Sequence, residues 1–229
     1  MNQENPARER ILRRLAAALK TPTQPPWTHS PADAARPAFA PLTDIRTHFR
    51  DECAANRTEL IEGRREELVR AFYKLLMDAG LAPGENPGPG APRIYAQKPA
   101  AGVEAIWEEL LRPWQGCSDG PDSGPPDDRH AVGVTLAEAL IARTGSLLIS
   151  TAQGGRAASV LPPLHIVYAR AEQIVAELDD ALARLQNHGP TPARSMLSLI
   201  TGPSRTADIE KMLVLGAHGP KRLVILLEM

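Results

Sequence analysis

The final hundred residues carry apolar runs of strand length: SLLIS at 146–150, HIVYA at 165–169, MLSLI at 196–200 and RLVILLE at 222–228. A stretch such as LVILL has no polar side. A strand apolar on both sides has to be covered on both sides, which in practice means a sheet buried between two layers. AVGVT at 131–135 reads as a further strand. Between these runs, LAEALIAR (136–143), AEQIVAELDDALARLQ (171–186) and TADIEKMLVLG (206–216) read as helices, the second with Ile174, Leu178, Ala181, Leu182 and Leu185 turned inward. Such alternation predicts an α/β fold with a mainly parallel sheet and helices on both faces.

Upstream the same style continues more loosely. TDIRTHFRDECAAN predicts a helix capped by Thr43 or Asp44. RREELVRAFYKLLMDAG predicts a helix that buries Leu68, Phe72, Leu75, Leu76 and Ala79 and ends at Gly80. TELI (58–61) and RIYA (93–96) read as strands and VEAIWEELL as a helix, whereas the Pro/Gly/Asp-rich stretch 112–129 reads as a mobile loop. Residues 6–20 form a basic amphipathic helix, expected to pack on its own domain or on a neighbouring subunit, so a homo-oligomer stays open. Six prolines between residues 21 and 41 make the next stretch an extended linker. The expected organisation is therefore residues 1–41 as helix and linker and 42–229 as one α/β domain.

Composition excludes several function classes. A formal net charge of −1 gives no general attraction to nucleic acid, and three each of Trp, Tyr and Phe supply no stacking platform for bases. Cys53 and Cys117 form no CxxC and cannot complete a four-ligand cluster, so free thiols in a reducing cytoplasm are expected. The six histidines show no HxH or HxxxH spacing, and no metal site is predicted. No apolar run approaches the roughly 20 residues that span a bilayer. There is no Walker A motif and no GxGxxG.

Three polar clusters punctuate the alternating half: RTGSLL at 143–148, GGRAASVLPPLH at 154–165, and TGPSRTADIE at 201–210, continued by AHGP at 217–220. If a helix starts near Ala207, Gly202 and Pro203 make the turn, Ser204 or Thr206 caps the helix, and Asp208 and Glu210 sit in its first turn. That turn-and-cap reading leaves Arg205 and one hydroxyl over. Beside a helix N-terminus these suit a phosphate or carboxylate, and both readings stand. Thr144 and Gly145 read as a helix exit and Ser146 as a strand start. GGR at 154–156 is either an amide-and-guanidinium site or a loop between strands. His165 reads as a structural histidine opening a strand, and His218 as a candidate acid/base with no nucleophile to pair with it.

Taken together, GVTLAEALIARTGSLLIS, GGRAASVLPPLHIVYARAEQIV and LITGPSRTADIEKMLVLGAHGPKRLVILL resemble the LUD domain family, the lactate-utilisation protein C or YkgG-like proteins, over about residues 130–228. The resemblance implies a fold of the NagB/RpiA/CoA-transferase-like class. It implies a part in oxidation of L-lactate to pyruvate, alongside partner proteins that carry iron–sulfur clusters, with no cofactor on this chain. The signature positions carried over are Thr144, Gly145, His165, Gly202, Pro203, Ser204, Arg205, Thr206, Asp208, Glu210, His218 and Gly219. Of these, Thr144, Gly145, Gly202, Ser204, Arg205, Thr206, Asp208, His218 and Gly219, together with Ser146, make the candidate site for a small anionic ligand. The glutamate nucleophile of CoA transferases has no counterpart motif here. The alternative to the lactate role is a stand-alone binder or enzyme for a phosphorylated or CoA-like ligand at the 202–210 loop.

Overall fold

A computed structural model describes residues 6–18, 20, 39–84, 88, 90–154, 157–187, 196–207, 213–215 and 219–229. The chain divides into two units, Met1–Ala40 and Pro41–Met229. In the first, helix α1 spans Pro6–Ala18 and carries an Arg13–Glu9 ion pair at 3.8 Å.

The second unit begins with α2 (Ile45–Ala55), β1 (Glu59–Gly63), α3 (Arg65–Asp78), β2 (Arg93–Ala96) and α4 (Glu104–Leu111). Then follow β3 (Ser118–Asp119), β4 (His130–Leu136), β5 (Ala139–Ile141), β6 (Ser146–Ser150), β7 (Leu164–Arg170) and β8 (Ile174–Val175). The chain ends with α5 (Leu178–Asn187), β9 (Leu197–Ile200), β10 (Arg205–Ala207), β11 (Leu213–Leu215) and β12 (Arg222–Glu228). Six strands form one sheet in the order β1-β12-β7-β4-β2-β3, and every pairing in it is parallel. A second sheet has the order β8-β5-β6-β9.

The two-sided apolar strands behave as their sequence requires. On one face of the main sheet, Ile94, Val132, Val134, Ile166, Val224 and Leu226 meet Leu68, Phe72 and Leu76 of α3 and Ile106, Trp107 and Leu110 of α4. On the other, Val167, Ala169, Leu223, Ile225 and Leu227 meet Phe49 and Cys53 of α2 and Leu140, Leu147 and Ile149 of the second sheet. Helices thus lie on both faces, and on the second face a sheet does much of the covering. Each large aliphatic side chain so buried contributes about 1.5–3 kcal/mol. Local signals place the helices: the Asp44 carboxylate accepts from Arg46 N (3.1 Å) and Thr47 N (3.0 Å) to cap α2. Beyond α3 the chain leaves through Gly80 at φ +82.

Four stretches differ from expectation. Residues 136–143 contain β5, with Leu140 facing the main sheet and Ala139 and Ile141 facing α5. That is the two-residue period of a strand, and the short apolar run hid it. In 171–186 only the second half is helical: Ile174 pairs with Leu140, and α5 begins after Glu177, whose N–H is taken by Asp180 Oδ2 at 3.0 Å. Ala181 and Leu185 are buried, whereas Leu178 and Leu182 are each 38% exposed. In 206–216 the expected helix is replaced by β10 and β11, paired antiparallel from Arg205↔Leu215 to Ala207↔Leu213. A short apolar run such as MLVL fits strand as well as helix, and pairing with the segment just before it decides. The stretch 112–129 is packed: Trp114 is buried edge-on against Phe72 (6.1 Å, 89°) and Tyr73 (4.5 Å, 70°). The same stretch is tied at its far end, where Asp119 takes a bidentate ion pair from Arg93 and a 3.0 Å hydrogen bond from His130 Nε2.

Both cysteines are free and buried. Burial pushes the Cys53 thiol up to about 12 and raises that of Cys117. The thiolate is the reactive form. A thiol reagent at neutral pH is therefore expected to leave the native protein unlabelled and to titrate two thiols after denaturation; rapid native labelling would contradict this packing.

Candidate functional site

The predicted residues separate into two groups. Gly202, Ser204 and Gly219 line a cavity of about 210 Å³, together with His165, Ser159, Val160, Ser198, Ile200, Pro203, Pro220 and Leu223. This cavity lies at the amino end of the main sheet, where His165 is the second residue of β7. Its roof rests on a bare backbone. A Cβ on Gly133 of β4 would stand 1.9 Å from the Ala158 carbonyl oxygen, so only glycine lets the 157–163 segment lie on the sheet. Pro163 O accepts from Lys221 N (2.8 Å) and Arg222 N (3.1 Å), and Ser204 N donates to Pro220 O (2.9 Å). Gly202 takes φ +75, as the turn reading expects.

His165 is fully buried. Its Nε2 shares a 2.8 Å hydrogen bond with Thr135 Oγ1, and its Nδ1 has no partner among the described residues. Burial pushes its imidazole down from 6.5 to about 3, so the ring is neutral at ordinary pH. No charged side chain is found in this wall among the described residues. The cavity can hydrogen-bond a small uncharged group; its described residues offer an anion no countercharge.

Thr144, Gly145 and Ser146 do not line the cavity. Gly145 has φ +59, and a Cβ there would come within 2.7 Å of Glu52 C and 2.8 Å of Cys53 N. The glycine thus lets the 142–146 turn press against α2, and Asn56 Nδ2 donates to Thr144 O at 2.9 Å. Ser146 is linked to the third cluster by hydroxyl contacts: Thr144 Oγ1 to Ser146 Oγ at 2.7 Å, and Ser146 Oγ to Thr201 Oγ1 at 2.6 Å. Arg205 and Thr206 lie in β10, which removes the helix N-terminus expected beside them. Asp208, Glu210 and His218, and Gly155 and Arg156 of the GGR cluster, lie outside the described residues.

A larger cavity, about 570 Å³, opens at the opposite end of the sheet and was missed in the sequence. It lies past the carboxyl ends of β2, β4 and β7 and is walled by Lys98, Glu138, Tyr168, Arg170, Gln173 and Arg184, among others. From β2 the chain moves outward to β3, and from β4 it moves the other way to β7. The crevice between β2 and β4 is thus a topological switch point, where open α/β sheets bind ligands. A signal was available: RIYAQK, VTLAE and HIVYAR each carry a charged residue at or within two residues of a strand's end.

The geometry is joined by likeness to known proteins. The LUD domain family model matches residues 128–227. Lactate utilization protein C of Bacillus subtilis is 27% identical over 230 residues, covering 96% of this chain and 95% of that protein. The protein of the same name from Geobacillus thermodenitrificans is 27% identical, covering 93% of this chain and 91% of its own. The crystal structure of a DUF162 family protein from Deinococcus radiodurans aligns with a TM-score of 0.55 at 24% identity, over 81% of this chain and 96% of that one. That likeness shows a shared α/β fold.

Two outcomes test this geometry. Gly145→Ala combines a left-handed backbone with a clash against α2, and is expected to cost about 2 kcal/mol or more in a denaturant melt. His165 titrates near 6.5 when unfolded and near 3 when folded. Between those values the unfolded chain binds a proton that the folded chain does not. The stability due to the neutral histidine is full above 6.5 and is lost as pH falls toward 3. Going from pH 7 to pH 5 should remove about 2 kcal/mol through this group. Urea midpoints at the two pH values should show that loss in the parent and its absence in His165→Gln.

Proposed function

We propose, on the premise that residues 128–227 are a LUD domain, that this chain serves in the utilisation of lactate. The observation that carries the reading is the span of the likeness. It reaches 96% of this chain and 95% of the Bacillus subtilis relative, well beyond the 128–227 segment. The reaction served is the oxidation of L-lactate to pyruvate, which releases two electrons and two protons to an acceptor. Two cysteines are too few for a four-thiolate cluster, and both are buried. The family resemblance implies iron–sulfur partner proteins as the electron carriers, with this chain as the subunit that assembles or binds ligand. Its place is the cytoplasm, where unpaired thiols persist.

The second reading, a stand-alone binder of a phosphorylated or CoA-like ligand at 202–210, relied on a helix N-terminus beside Arg205. Arg205–Ala207 is a strand, so a helix starting near Ala207 no longer supports that reading among the described residues.

Deletion of the gene in its source organism should abolish or strongly slow growth on L-lactate as sole carbon source, with growth restored by this chain. A tagged copy should retain iron-containing, cysteine-rich proteins from lactate-grown cells. Unimpaired growth of the deletion strain on lactate would overturn the proposal.

A further inference from the structure

We propose that the cavity at the carboxyl ends of β2, β4 and β7 binds a hydroxylated phosphate monoester. Its size sets the scale. At about 570 Å³ it falls in the range of roughly 300–1,000 Å³ typical of small-molecule sites, whereas the amino-end cavity, at about 210 Å³, lies below it.

Charge sets the class. Among the described residues the wall holds three cations, Lys98, Arg170 and Arg184, against one acid, Glu138. Lys98 Nζ pairs with Asp122 at 2.9 Å, and Arg170 Nε pairs with Glu172 Oε1 at 2.9 Å. Both carboxylates stand outside the wall, 82% and 61% exposed, where water screens them. Arg184 Nη1 donates to the Glu172 carbonyl at 2.5 Å and meets no carboxylate among the described residues. A Cβ on Gly102 would lie 4.0 Å from Arg170 Nη1, which puts that guanidinium beside the turn into α4. The first turn of α4 already holds an acid, Glu104, whose Oε2 accepts from Gly102 N at 2.8 Å, so the countercharge for a ligand comes from the side chains of the wall. Two guanidiniums in one wall suit a dianionic phosphate better than a single carboxylate charge.

Glu138 sets the remaining requirement. Its Oε1 accepts from Ser150 Oγ, which fixes the carboxylate in the wall, and a carboxylate accepts from donors while it repels phosphate oxygens. A ligand hydroxyl supplies such a donor, whereas a bare phosphate does not.

Thermal melts and calorimetric titration of the full chain test this with inorganic phosphate, glycerol 3-phosphate, AMP and L-lactate. The esters should stabilise the protein, with inorganic phosphate competing more weakly. Arg184→Gln should weaken ester binding about tenfold or more. Glu138→Gln should weaken the esters and spare inorganic phosphate. Ser204→Ala, in the other cavity, should bind as the parent does. The proposal is overturned if no ester binds at millimolar concentration, if Arg184→Gln binds as tightly as the parent, or if L-lactate binds better than the esters. These outcomes are independent of the growth phenotype on lactate, so either proposal can fail alone.

Discussion

Strand β7 is bonded along both edges, to β12 and to β4, and covered on both faces. No other arrangement would bury HIVYA without leaving an apolar face in water. The same strand fixes both cavities. His165 near its start lines the small one, and Tyr168 and Arg170 near its end line the large one. Five residues of extended chain separate His165 from Arg170, about 16 Å at 3.3 Å per residue. The two cavities are therefore held at opposite ends of one rigid element, and a change in the packing of β7 would reach both.

The two ends differ in electrical character for a structural reason. At the amino end the 157–163 segment lies directly on Gly133 and closes the sheet from water. A histidine sealed there loses its charge, and its one satisfied nitrogen is bonded to a neutral hydroxyl. At the carboxyl end the strands run out into turns, and the charged side chains that follow them keep contact with solvent. Desolvation disfavours an ion in the described part of the small cavity and permits ions at the carboxyl end. Lactate is an anion, so the described part of the small cavity gives it hydrogen bonds without a countercharge.

What was legible in the sequence followed from patterns with a single physical meaning. RLVILLE and HIVYA read as buried strands and are strands, and of the two cap candidates before IRTHF, Thr43 and Asp44, the cap is Asp44. LAEALIAR and TADIEKMLVLG failed because runs of four or five apolar residues satisfy strand and helix alike, and the deciding contacts are with residues far away or across a tight pair. Leu140 becomes a strand residue through Ile174 and Leu147, neither of which its own segment reveals. In 112–129 the prolines and glycines outweighed Trp114, although a tryptophan in a polar stretch is itself a sign of an anchored segment.

The clusters that make this chain recognisable stand mostly where backbone geometry is tight. Gly202 is needed for its φ of +75, and at Gly219, with φ +149, a Cβ would come 2.9 Å from Ser204 Cβ. Ser204 N and Pro220 O tie the two turns together. Each of these residues has a reason to be what it is without any ligand. The charged residues past β2, β4 and β7 are held otherwise: Lys98 by Asp122, Arg170 by Glu172 and Glu138 by Ser150, all through side chains and not through a strained backbone. A distinctive motif can thus mark the end of a sheet that is hardest to close, while the chemistry sits at the other end, where side chains are free of that constraint.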